Sequence, residues 1–392
     1  MQGSDTPKPG ETARSARWAA TMAGYAGLIR LAHADSTARI GPPPGGEPGP
    51  AALGRTERTE REEREAGQLA PGASRAEGAG DRPRPEEPDD WRTCFERDRD
   101  RILHATSFRR LAGKTQVFVF PRDHQRTRLT HALEVAQVAT AIARACRLNV
   151  ALTEAIALGH DCGHGPGGHA SEDALDPFLP GGFDHAPWGA EVSLASLNLC
   201  AETSDGIANH SWSRPAPRSP EGEVVSWADR VAYVCHDWED AVLTGIVAPH
   251  QLPPEVRQLC GERRSAQLAA FIEGAVSATV RTGQVGMEEE PAEALAAFRA
   301  RNYELIYLRP ASVQQGLAVV GVLRALVEHF ADRPHLMGET SGSSTSDCVA
   351  GGEEAVRAAV TYVAGMTDRF AFRQAVSLLG WDADKLPTGV DT

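Results

Sequence analysis

From about residue 91 onward, apolar residues recur three and four places apart, the spacing that collects them on one face of a helix. The stretch FERDRDRILHATSFRRLAGK from Phe95 sets Ile102, Leu103, Ala105, Phe108 and Leu111 in this pattern and predicts an amphipathic helix. TQVFVFP, which follows, is rich in β-branched and aromatic residues and predicts a short strand or hairpin arm. In RLTHALEVAQVATAIARA, His131, Val135, Val138 and Ile142 share one stripe; in ALTEAIALGHD, Leu152, Ala155, Ile156, Gly159 and His160 share another. Each of these apolar stripes therefore carries an imidazole at one end. A third segment, VVSWADRVAYVCHDWEDAV, has two competing stripes, with Asp229, Ala232, Tyr233, His236, Asp237 and Asp240 on one and Val231, Val234, Cys235, Trp238 and Val242 beside it. An ordinary amphipathic helix turns the first stripe to water, whereas a helix that builds a site turns it inward.

The periodicity is absent before residue 90. From Gly41 to about Asp90, Pro, Gly, Glu and Arg dominate, and such a segment buries too little apolar surface to offset its ordering entropy. Residues 1–90 are accordingly expected to be a disordered extension with at most a short helix near Trp18 to Leu31. A loop rich in Ser, Thr and Gly from Asp332 to Gly352 is expected to separate the last helices from the rest. The fold class expected is all-α.

Composition narrows the function classes. The 392 residues are 41% hydrophobic and 24% charged, and no apolar run approaches the roughly 18 residues that span a bilayer, so a soluble chain with no membrane partner is expected. A formal net charge of −13 argues against a protein built to neutralise nucleic-acid backbones, although a metal and local cations override the global sign for a small anion. Seven cysteines without a C-x-x-C pair fit reduced thiols, and Cys162 reads as a small packing residue. Arg14 to Ala34 loosely imitates a secretory signal, but Arg30 interrupts its apolar part and glycines weaken it, so the cytoplasm is expected.

Candidate chemistry concentrates in HDCGHGPGGHASE, His160 to Glu172, with three histidines, an aspartate and a glutamate among residues with few bulky side chains. Combined with His131 and Asp229 from the other helices, His160 and Asp161 make a mixed nitrogen and oxygen set suited to one divalent ion, Mn, Mg, Fe, Co or Zn. Taken singly, His131 reads as a satisfied core or surface histidine and the acidic stripe ending in Asp240 as a solvated face. Their coincidence favours a site.

RDRDRILHATSFRRLAGKTQVFVF, RTRLTHALEVAQVA, HDCGHGPGGHASE, GGFDHAPW, ADRVAYVCHDWEDAV and AGMTDRFA, in this order from Trp91 to Phe372, resemble the blocks of the deoxyguanosine triphosphate triphosphohydrolase family of HD-domain metal phosphohydrolases. The resemblance implies an all-helical HD fold, with a catalytic core at residues 91–250 and accessory helices at 251–385, and one metal held by His131, His160, Asp161 and Asp229. It implies cleavage of deoxynucleoside triphosphates between the sugar oxygen and the α-phosphorus to deoxynucleoside and tripolyphosphate. By the same resemblance His169 and Glu172 form a proton-handling dyad, His164 contacts phosphate or protonates the departing deoxynucleoside, and His185 lines the pocket with a supporting phosphate role. Arg128 would grip the triphosphate, Gln116 would lie at the deoxyribose face, and Tyr233 and Asp237 would receive the sugar and select against a 2'-hydroxyl. A homo-oligomer regulated by an allosteric nucleotide is also implied.

Two departures from the family pattern stand out. Gly165, Pro166 and Gly167 replace a stiffer pair of prolines and a bulky residue, so the loop carrying His169 is expected to be more flexible; Ala186, Pro187, Trp188 and Gly189 replace a polar run, so base preference stays open. Two rival readings are another HD-type substrate (a nucleoside monophosphate, a cyclic dinucleotide or an alarmone) and a nucleotide sensor or single-strand nucleic-acid binder that uses the arginines of RDRDR and FRR. For those arginines, ion pairs with the interleaved acids are the plainer expectation.

Overall fold

A computed structural model describes residues 29–32, 37–40, 55–119, 124–337 and 348–387. Within residues 1–56, the described backbone includes an antiparallel hairpin of Ile29–Ala32 (β1) and Thr37–Ile40 (β2), with Ile29 opposite Ile40. The helix expected near Trp18 to Leu31 is thereby corrected at Ile29 to Leu31, where β-branched residues at paired positions suit a ladder; its earlier part lies outside the described residues.

Among the described residues from 57 to 387 the regular elements are helices joined by turns and loops. The helices that bear on the site are α1 Arg58–Ala66, α2 Cys94–His104, α3 Arg128–Cys146, α4 Val150–Gly159, α5 Ala170–Leu175, α6 Ala201–Ala208, α7 Pro220–Leu243, α8 Arg264–Thr282, α9 Glu289–Asn302, α10 Pro310–Asp332, α11 Glu353–Ala364 and α12 Asp368–Leu379. Helix α3 starts at a capping box, in which the Thr127 hydroxyl accepts the Thr130 amide and Thr130 Oγ1 accepts the Thr127 amide. It stops at Arg147, whose left-handed φ of 57° turns the chain into α4, capped in turn by Asn149. These caps fix where the His131 and His160 ends of the two stripes fall.

Two apolar clusters hold the unit together. One is built by α2, α3, α4, α7, α8 and α9 around Ile142, Leu152, Ile156, Val231 and Phe298; the other by α5, α10, α11 and α12 around Leu175, Val319, Leu326, Phe330 and Val363. The segment His160 to Glu172 leaves α4 in the first cluster and enters α5 in the second, so it lies at their seam. By length and a mean hydropathy of 1.3, α10 alone among the described residues suffices to cross a membrane, contrary to the expectation for this chain. Its Val322, Leu323, Leu326, Val327 and Phe330 are buried in the second cluster, while Val313 and Leu317 nearer its start are exposed.

Other expectations also require correction. The helix predicted from Phe95 breaks at Ala105, whose ψ of 145° is extended, and resumes as short turns; Leu103 is exposed while Asp98 is buried. TQVFVFP forms no strand among the described residues: Thr115 makes a single bridge to Thr127, and its amide is taken by the Asp368 carboxylate rather than by a partner strand. Glu57 to Asp90, expected to belong to a disordered extension, is instead laid across the helices by polar anchors. Arg82, buried, donates to Asp98 Oδ1 at 2.6 Å, to the Asn198 carbonyl at 2.6 Å and to the Cys94 carbonyl at 2.9 Å, and Glu221 accepts from Ser74 and from the Asn149 amide. Glu86 of the same strap pairs with Arg97 and Arg101, and Arg99 pairs with Asp100, so these three of the arginines considered for nucleic acid are engaged by carboxylates. Arg82→Ala should lower the unfolding free energy by roughly 3–5 kcal/mol, because Asp98 would remain buried without its cation. Denaturant unfolding measures this, and a loss below about 1 kcal/mol would reduce the strap to a surface attachment.

Candidate active site

Helices α3, α4 and α7 bring three donors together. His131 Nε2 lies 2.9 Å from Asp229 Oδ1, His160 Nε2 lies 3.7 Å from the same oxygen, and the ligand atoms of all three are within 4.8 Å of one another. His160 Nδ1 donates to the Ala157 carbonyl at 2.7 Å, which fixes the tautomer and leaves Nε2 as a lone pair, buried and without a hydrogen-bond partner. A buried lone pair among carboxylates is the environment a divalent cation satisfies, so these residues fit one. Asp161, the fourth ligand expected, borders the group with Oδ1 3.4 Å from His160 Nε2, while its Oδ2 accepts from Arg128 at 2.7 Å. Burial raises the Asp161 carboxyl, but Arg128, His160 and His164 outweigh it and hold it well below the usual range.

Beside this cluster stands a relay centred on Glu172. Its two oxygens accept from His169 Nδ1 at 2.9 Å and His185 Nδ1 at 2.7 Å, and the His185 amide adds a third bond at 3.2 Å. Burial pushes the carboxyl up, yet these bonds prevail and keep it ionised. His185 Nε2 meets His210 Nε2 at 3.2 Å, and His210 Nδ1 donates to the Ile207 carbonyl. Burial, then His160 and His185, depress His210 to about 3, so it is neutral and accepts at Nε2. Burial opposes charge on His185, but the hydrogen bond and charge of Glu172 outweigh it and raise its affinity for a proton. His164 stacks on His185 at a centroid distance of 3.7 Å, and burial followed by Arg128 and His185 holds it neutral. His169 is the exposed member, with its Nδ1 on Glu172 and Nε2 left for chemistry.

His169, Glu172 and His185 line a cleft of about 840 Å³, whose wall includes Trp212, Trp227, Arg230, Arg299 and Tyr303. The Arg230 guanidinium sits 3.5 Å over the Trp212 ring, which packs edge-on against Trp227. Arg299 Nε donates to the Tyr233 hydroxyl at 2.9 Å, and Tyr307, on a π-helical turn at Tyr303–Tyr307, donates to Asp237 at 2.5 Å. Burial raises Asp237 to about 7 despite that bond. Both stripes of α7 are thus buried along much of its length, Asp237 and Asp240 as well as Val234 and Trp238. Gln116 Oε1, and Arg128 Nε and Nη2, are buried without hydrogen-bond partners. Sequence reasoning missed His210, Arg230, Arg299 and Tyr307; the one available signal was the isolated Asn-His-Ser after α6, which no periodicity marks.

Residues 128–234 match the HD domain, and residues 285–376 match the phosphohydrolase-associated domain. The chain is 40% identical over 310 residues to a deoxyguanosinetriphosphate triphosphohydrolase-like protein of Caldanaerobacter subterraneus subsp. tengcongensis, covering 77% of this chain and 90% of that protein. A protein of the same description from Clostridium perfringens is 39% identical over 305 residues, covering 74% and 87%, and one from Roseobacter denitrificans is 32% identical over 376 residues, covering 79% and 97%. With His131, His160 and Asp229 inside the HD match and similarity running through nearly the whole of these relatives, the chain belongs to the deoxyguanosinetriphosphate triphosphohydrolase-like family of HD-domain phosphohydrolases.

Proposed function

We propose that the protein hydrolyses deoxynucleoside triphosphates to deoxynucleoside and tripolyphosphate with one divalent cation held by His131, His160, Asp161 and Asp229. The observation that carries this reading is the juxtaposition of that donor set with the Glu172 relay at the edge of a cleft walled by Arg230 and Arg299. A cation in the donor set supplies Lewis acidity toward water and an α-phosphate oxygen. His169, oriented through Nδ1 by Glu172, handles a proton at Nε2, on the attacking water or the departing sugar oxygen. His164, neutral, and His185 flank the phosphate, and Arg128, Arg230 and Arg299 provide guanidinium donors for the triphosphate. Tyr233 and Asp237, together with Gln116, receive the deoxyribose, where the tyrosine ring crowds a 2'-hydroxyl and Asp237 engages the 3'-hydroxyl. The native ion among Mn, Mg, Fe, Co and Zn, a regulatory nucleotide, homo-oligomerisation and a cytoplasmic location belong to the same proposal.

The test is turnover of the four deoxynucleoside triphosphates, singly and mixed, with Mn or Mg, and chromatographic identification of products. Tripolyphosphate from at least one substrate is expected. Monophosphate with pyrophosphate, or salt-sensitive strand binding without turnover under any condition, would overturn the reading.

A further inference from the structure

The loop that carries His164 and His169 is held from outside the helices that supply the metal donors. Gly167 and Gly168 both adopt left-handed backbone, with φ of 74° and 65°, and a Cβ on Gly167 would lie 2.4 Å from Val319 of α10. The Gly167 amide donates to Asp368 Oδ1 at 2.8 Å, and the other oxygen of the same carboxylate accepts both the amide and the hydroxyl of Thr115, the neighbour of Gln116. Lys114, fully enclosed, donates to the carbonyls of His164 and Ala364. Arg324 of α10 reaches the Asp173 carbonyl at 2.9 Å, on the helix that begins after His169. Asp368 is itself 2% exposed, and none of its partners belongs to the metal donor set.

We infer that Asp368 is a positioning residue for hydrolysis: by binding Gly167 and Thr115 at once, it locks the His164–His169 loop to the Gln116 segment and makes the C-terminal helices a working part of the active site. The inference rests on the roles proposed above for His164 and His169. It also answers the expectation that glycines at 165 and 167 loosen this loop. The positive φ at Gly167 turns its amide onto the carboxylate, so the glycine serves the tie. An asparagine at 368 can accept from Gly167 or from Thr115 but not from both, because its amide nitrogen is a donor.

Asp368→Asn and Asp368→Glu are compared with the full-length wild type by steady-state kinetics, Mn titration calorimetry and amide hydrogen exchange. Both variants are expected to lose about 100-fold in kcat, as misplacement by about 1 Å does, with KM within about threefold and Mn affinity unchanged. Exchange should accelerate at residues 113–116 and 164–171 and stay unchanged in α3 and α7. The glutamate variant keeps the charge and moves the carboxylate by one methylene, so it carries the test if the asparagine variant does not fold. Wild-type kcat in either variant, or exchange accelerated throughout with Mn affinity lost, would overturn the inference. If the wild type turns over no deoxynucleoside triphosphate, the proposed function fails, while exchange and Mn affinity still decide whether Asp368 holds the loop.

Discussion

Replacing His131 with alanine is expected to abolish hydrolysis, at least roughly a 10³-fold loss of kcat/KM, and to remove divalent-ion binding with it. His131 offers one of the three donors that lie within 4.8 Å, and the other two sit on α4 and α7, so no neighbouring side chain on α3 substitutes. The fold should survive: Val135, Val138 and Ile142 keep α3 in the core, and Asp229, partly exposed, regains water when its histidine partner is removed. Mn titration calorimetry and circular dichroism check the two halves. Wild-type Mn affinity in the variant would remove His131 from the donor set, and in the wild-type protein a chelator should reproduce the loss, with added Mn reversing it.

The donor set was legible because it lies where helical periodicity is strongest. His131 and His160 end stripes whose remaining members are Val, Ile, Leu and Ala, and a stripe that must face a core carries its polar end there too. Asp229 was legible only in company, since its helix carries two stripes and a single face cannot tell which is inward; in the folded chain both are buried along much of their length, although Asp229 itself stays partly exposed. The His169 and Glu172 dyad came instead from the family resemblance, since His169 precedes the short α5 and no apolar stripe marks it. His185 and His210 were less so, because turns rather than helix phase bring them to Glu172 and to each other. The strap from Glu57 to Asp90 was misjudged on composition. It has little apolar surface of its own, but it rests on a core already made by others and is held by Arg82, Ser74 and Glu86, interactions that hydrophobic patterning does not encode.

A Glu172→Gln variant should separate proton chemistry from metal binding. The carboxylate accepts two ring N–H groups, from His169 and His185, and a carboxamide offers one acceptor oxygen and a donor nitrogen in their place. Whichever ring meets the nitrogen must turn away or shift its proton to Nε2. For His169 that consumes the lone pair needed to take a proton; for His185 it removes the carboxylate that raises its affinity for a proton. Loss of general acid–base help predicts a fall in kcat of roughly 10²–10⁴-fold. Mn affinity should stay at the wild-type level, because Glu172 begins α5 and touches none of His131, His160 or Asp229. The pair of variants thus has opposite signatures: His131→Ala loses the ion and activity together, Glu172→Gln loses activity with the ion retained. A Glu172→Gln enzyme with wild-type kcat would mean that the relay only packs the loop and handles no proton in the reaction.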